Sequence, residues 1–175
     1  DGLCTYVEEN FDCDGNCTVT VDCAGECNGS AVVDDCGECG GDGSSCLPVT
    51  LSFGVLDFDN GTVEILVDTP HEIGGFQFVA DGLSLTGASG GLSEANGFAV
   101  SAAQNGTVIG FSFTGATISA GSGVLTVLSF NDNEAQACIT NPIISDPTAG
   151  GLNVELGGCL ENLSVDISGC TDEFA

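Results

Sequence analysis

From Leu47 to residue 167 the hydrophobic and polar positions alternate with a period of two. Val49, Leu51, Phe53 and Val55 are separated by Thr50, Ser52 and Gly54; Val63, Ile65 and Val67 repeat the pattern, and so do Ile109, Phe111 and Phe113. Successive side chains leave a pleated strand on opposite sides, so this is the period of a half-buried strand. Further runs at GGFQFVA, LSLTG, GFAVSA, VLTVLSF, ACITNPIIS, LNVELG and LSVDI bring the expected total to about ten short strands. Gly, Asn and Asp turns divide them, and no stretch has the 3.6 period of a helix. Residues 47–168 are therefore expected to form an all-β fold, an antiparallel β-sandwich of about 9–10 strands. Within DFDNGTVEILV, Asn60-Gly61 between two alternating runs is a hairpin signal. Asp57, Asp59 and Asn60 also look like part of a calcium loop, but the acidic ligands such loops carry downstream are missing, and the hairpin is preferred.

The first 46 residues have a different texture. They hold eight of the eleven cysteines and few large apolar residues. Such a segment cannot fold by burial alone, and disulfides worth about 2–4 kcal/mol each are expected to hold it. DCDGNC at 12–17, DCAGEC at 22–27 and DCGEC at 35–39 restate one short unit at offsets of 10 and 13 residues. Zinc is the rival explanation, through Cys36/Cys39 in a CxxC and Cys13/Cys17 and Cys23/Cys27 in CxxxC pairs. The missing second CxxC at ribbon spacing and the lack of a nearby His favour disulfides, and with them an oxidising, extracellular setting. The pairing of Cys13, Cys17, Cys23, Cys27, Cys36, Cys39 and Cys46 is left open by sequence. Cys138 and Cys159, alone in the body, are expected to pair with each other. Asp12, Asp14, Asp22, Asp35 and Asp42 are candidate oxygen ligands for Ca²⁺, against the simpler reading of solvated turn residues.

Charge removes whole classes of function. The chain has 26 acidic residues and neither Lys nor Arg, a formal net charge of −26. Nucleic acid and anionic membrane surfaces are excluded as partners, because binding them depends on cationic side chains. Cations are the expected counter-charge, Ca²⁺ first, with plain salt screening as the alternative. No signal peptide or transmembrane segment is visible, and with no Met the chain reads as a mature product or an excerpt of something larger.

An enzyme is not expected. His71 is the only histidine, no nucleophile-elbow pattern accompanies it, and there is no Trp and one Tyr to make a sugar platform. Paired carboxylates are plentiful but nothing marks one pair out. The glycine pairs Gly74-Gly75 and Gly90-Gly91 do not join a strand to a helix, so they are not phosphate loops. The acceptor pattern Asn-x-Ser/Thr occurs at Asn16, Asn28, Asn60, Asn105 and Asn162, where about two occurrences are expected by chance; these are candidate glycan sites, and turn residues otherwise.

DDCGECGGDGSSC resembles segments of cysteine-rich secreted proteins, and CTYVEENFDCDGNC is similar to a unit of very large, repetitive surface proteins of marine bacteria. There, units open with Gly-Cys-Thr-Asp and close with Asp-Gly-x-Cys-x-Tyr. This chain carries the opening half as GCTDEFA at 169–175 and the closing half as DGLCTY at 1–6. The body, through GGFQFVADGLSLTGASGG, VIGFSFTGATISAGSGVLTVLSF and ACITNPIISDPTAGGLNVELGGC, resembles cohesin-like β-sandwich modules. The resemblance implies three parts: a connector at 1–46, a cohesin-like sandwich at 47–168, and the start of the next connector at 169–175. It also implies pairing of Cys170 in one copy with Cys4 of the next, with one cysteine of the odd eleven left over. The function so implied is structural: a link in an extracellular filament or cell-surface stalk, joined head to tail to other copies. The alternative is a cohesin-like protein-binding or glycan-adhesion module.

Overall fold

The computed structural model describes residues 9–12, 14–161 and 163. The chain divides into two compact units, Asp1–Leu47 and Pro48–Ala175.

The described part of the first unit is built on three copies of one turn. Isolated β-bridges join Phe11 to Cys17, Val21 to Cys27 and Val33 to Cys39. Inside each bridge an Asp carboxylate caps the loop. Asp12 Oδ1 accepts the backbone N–H of Asp14 at 2.9 Å and of Asn16 at 2.7 Å. Asp22 does the same for Ala24 and Glu26 at 3.0 and 2.9 Å, and Asp34 for Cys36 and Glu38 at 2.9 and 2.8 Å. The next-but-two residue is a glycine with positive φ, at 81°, 85° and 87° for Gly15, Gly25 and Gly37, a conformation that a Cβ disfavours. Disulfides then staple neighbouring turns: Cys17 to Cys27, Cys23 to Cys39 and Cys36 to Cys46. The copies repeat at 10 and 12 residues, so the offset of 13 read from sequence is corrected. Asp34, not Asp35, occupies the capping position of the third copy.

The second unit is an all-β sandwich. Its strands are β1 (Val49–Asp57), β2 (Thr62–Thr69), β3 (Gly75–Ser89), β4 (Ala99–Ala102), β5 (Thr107–Phe111), β6 (Gly121–Ser145), β7 (Gly151–Leu152), β8 (Val154–Leu156) and β9 (Leu160–Glu161). Among the described residues there is one five-residue helix, α1 (Gly91–Ala95), between β3 and β4. It was not expected, because five residues are too few to show a period. Ser93 is buried in it and donates from Oγ to the Leu125 carbonyl at 2.7 Å.

Two long strands organise the rest. β3 and β6 pair antiparallel along their lengths, and both change register midway, at Asp81/Leu83 on β3. On one side of that break residues 75–81 face residues 138–145, and β5 and then β4 extend the sheet. On the other side residues 83–89 face residues 127–133, and β6 leads on to β2 and β1. The strand order is β4-β5-β3-β6-β2-β1-β8. GGFQFVA and LSLTG are thus one strand, as are VLTVLSF and ACITNPIIS. Gly82, with φ 86°, reads as a turn in sequence; it bends β3 at a place where a Cβ would run into the backbone carbonyl of Gln136. Among the described residues one pairing departs from the antiparallel rule: β1 and β8 run parallel, Val49 beside Val154.

The core fills the space between the layers. Leu51, Ile65, Phe78, Leu85, Ile118, Leu125, Leu128 and Ile144 are all essentially buried. Phe76 stacks between Phe78 and Phe98, ring centroids 6.2 Å away in each case. Cys138 is joined to Cys159, which ties β6 to the segment leading into β9. Beyond β9, Leu163 is buried and its backbone N–H donates to the Ala135 carbonyl.

Candidate interaction face

The alternation of Ile109, Phe111 and Phe113 reads in sequence like that of a core strand. In the fold these residues point the other way. Val108 and Gly110 face the core, whereas Ile109 and Phe111 are 40% exposed and Phe113 is 83% exposed. The physical reason lies on the neighbouring strand, where Phe76 is the register partner of Gly110. The Phe76 ring occupies the space where a Cβ on residue 110 would sit, so only glycine allows β5 to lie there with this face inward. The large side chains are left on the outer surface.

Sheet register gathers them. Gln77 on β3 stands between Ile109 on β5 and Ile143 on β6, and Ile143 is 59% exposed. Phe111 lies beside Ala99 on β4 and Gly75 on β3, neither of which covers it. Phe113 follows in a turn that the Ser112 hydroxyl holds by accepting the backbone N–H of Thr114 and of Ala116. Its ring meets that of Phe111 edge to face at 4.7 Å. Outward positions across the four strands carry no charge until Asp81, near the bend of β3. An uncharged, apolar strip on a chain with 26 acids is therefore a localised feature, of the kind that marks protein contact surfaces.

The residues singled out as calcium ligands are not brought together in this way. Asp12 and Asp22 spend their carboxylates on backbone N–H groups, and Asp22 Oδ2 also accepts Ala31 N–H at 3.0 Å. Asp42 accepts the backbone N–H and hydroxyl of Ser44, and Asp14 and Asp35 are exposed. Asp34, which sequence reading passed over, is half-buried and accepts three backbone N–H groups, those of Cys36, Glu38 and Gly43. Its signal was its place immediately after Val33, the position Asp12 and Asp22 hold after Phe11 and Val21. The hydrogen bonds hold these carboxyls below the usual carboxylate range: chiefly the Asn16 side chain for Asp12, the Glu26 backbone for Asp22 and the Glu38 backbone for Asp34. Among the described residues no three His, Cys, Asp or Glu side chains converge as a metal site. His71 lies in the turn after β2, where its backbone N–H donates to Thr69 Oγ1 at 3.0 Å. Cys4, Cys13, Cys170 and Asn162 lie outside the described residues, as do GCTDEFA and DGLCTY.

Among the described residues, no helix is long and apolar enough to cross a membrane. No protein-family profile matches the chain, and no curated protein does. Among solved structures the chain is similar to a non-cellulosomal cohesin from the hyperthermophilic archaeon Archaeoglobus fulgidus, at 13% identity over 63% of this chain and 86% of that one, with a TM-score of 0.47. It is also similar to the sixth cohesin of scaffoldin B from Acetivibrio cellulolyticus, solved in complex with a mutant Cel5 dockerin, at 16% identity over 66% of this chain and 99% of that one, with a TM-score of 0.49.

Proposed function

We propose that the chain is a non-catalytic, protein-binding module of an extracellular assembly, and that it receives its partner on the outer face of β4, β5, β3 and β6. The observation that carries this reading is the exposed, uncharged strip of Ile109, Phe111, Phe113 and Ile143. Large aromatic side chains on a sheet face supply contact area at low entropic cost, and contact surfaces are enriched in aromatic residues, Phe among them. The disulfides support an oxidising compartment. The experiment is capture of a partner from the native secretome, followed by titration of the purified pair. The double variant Ile109→Asp/Phe111→Asp is expected to abolish saturable binding while the melting temperature stays within a few degrees of the parent. Equal binding by parent and variant would sink the reading.

A second reading has its own support. The first unit staples each turn to the next by a disulfide, which gives a short stiff segment suited to spacing modules along a filament or stalk. In this reading copies join head to tail, and Ca²⁺ enters as counter-ion. Electron microscopy of native material distinguishes the two: a periodic filament supports the link, and isolated particles count against it.

A further inference from the structure

We propose that Asn105 carries an N-linked glycan whose first sugar seats in the polar cleft beside it. The structure sorts the four acceptor patterns that fall on described residues. The Asn16 side-chain N–H groups donate to both oxygens of Asp12, at 3.3 and 3.0 Å. Asn60 Nδ2 donates to Asp57 Oδ2 at 2.7 Å. Both nitrogens are therefore engaged with carboxylates, where attack on a sugar would first require breaking a charge-assisted hydrogen bond. Asn28 is exposed, at a positive φ of 58°.

Asn105 differs. It is exposed at the tip of the β4–β5 hairpin, in a turn closed by Gly106 N–H donating to the Ala103 carbonyl. Its Oδ1 accepts the backbone N–H of Thr107 at 3.2 Å, so the acceptor residue and the threonine of the pattern are held together. Its Nδ2 makes no hydrogen bond to the described chain. That nitrogen would attack the anomeric carbon of a saccharide activated as a lipid pyrophosphate. The C–N bond forms as the C–O bond to pyrophosphate breaks; the carboxamide gives up one proton to a base of the transferase, and the lipid pyrophosphate leaves.

The second observation is the cleft. About 270 Å³ in volume, it is lined by Asn105 together with Asp81, Ser84, Asp132, Asn133 and Glu134. Sugar hydroxyls are donors, and here they meet carboxylate and amide oxygens with no Lys or Arg in the chain to compete. The Asp81 and Glu134 carboxylates make no hydrogen bonds within the described chain and are available as acceptors. None of this depends on the apolar face described above.

The test is glycopeptide mass spectrometry on protein from its native source. The peptide containing Asn105 is expected to carry at least one hexose or N-acetylhexosamine, lost in both Asn105→Gln and Thr107→Ala, while peptides containing Asn16 and Asn60 are unmodified. A bare Asn105, or equal occupancy at Asn16 and Asn60, overturns the proposal. For the seating, protein trimmed enzymatically to the first sugar is compared with Asn105→Gln. The trimmed form is expected to melt about 2–4 °C higher, and the difference to disappear when Asp81→Ala and Glu134→Ala are added to both. Identical melting without those substitutions overturns the seating.

Discussion

Asp34 and Asp35 are neighbours with the same side chain and different work. Asp34 caps a turn through three backbone N–H groups, and Asp35 sits on the surface. Asp34→Ala removes all three hydrogen bonds at once and strands the amides of Cys36, Glu38 and Gly43. Amide exchange at Glu38 and Gly43 is expected to become markedly faster in Asp34→Ala and to be unchanged in Asp35→Ala; equal effects would mean that the turn is held by its disulfides alone. The same hydrogen bonds set a pH dependence. Asp12, Asp22 and Asp34 have folded values below the ordinary 3.8. Their contribution to stability is therefore complete above that value and is lost as pH falls through the lower, folded one. Carboxyl-carbon NMR titration is expected to place the midpoints of Asp22 and Asp34 below 3.8, with the first unit losing amide protection in the same interval. Protection lost already at pH 5 would contradict this.

At the scale of elements, β3 and β6 do what several short strands were expected to do. Their alternating residues were legible because burial imposes a period of two wherever one face is covered. Their continuity was not, because a glycine inside a bent strand and a glycine in a turn look alike in sequence. Gly82 has the positive φ of a turn residue, yet pairing resumes on both sides of it. The break leaves β6 with a long exposed stretch around residues 134–136, and there Cys138–Cys159 and β9 tie the end of the described chain to it. Closing a loop of 21 residues restricts the unfolded chain, and the double variant Cys138→Ala/Cys159→Ala is expected to lose about 3 kcal/mol. Urea denaturation followed in the body measures this. A loss under half a kcal/mol would show that the hydrogen bonds of Leu163 and β9 hold the segment without the covalent tie.

For the whole molecule the dominant fact is charge without counter-charge. With 26 acids and no Lys or Arg, self-repulsion opposes the compact state and falls as salt shortens the Debye length, from about 30 Å at 0.01 M to about 10 Å at 0.1 M. The melting temperature is therefore expected to rise with NaCl over that range. CaCl₂ at equal ionic strength separates screening from a site: a matching rise assigns the effect to screening, and a larger, saturable rise at millimolar Ca²⁺ reveals bound ion. The sequence by itself determined the chemistry that local pattern and composition control. A strand-rich body, a cross-linked head and an anionic surface follow from it, because period, cysteine density and charge need no knowledge of distant partners. Only the tertiary structure decided which face of each strand is inside. Ile109, Phe111 and Phe113 alternate as a core strand would, but the ring of Phe76 leaves room inside only for Gly110. Two residues more than thirty apart in sequence thereby turn an apparent core strand into the exposed strip on which the proposed function rests. Period fixes alternation; packing against distant chain fixes which alternate set is buried.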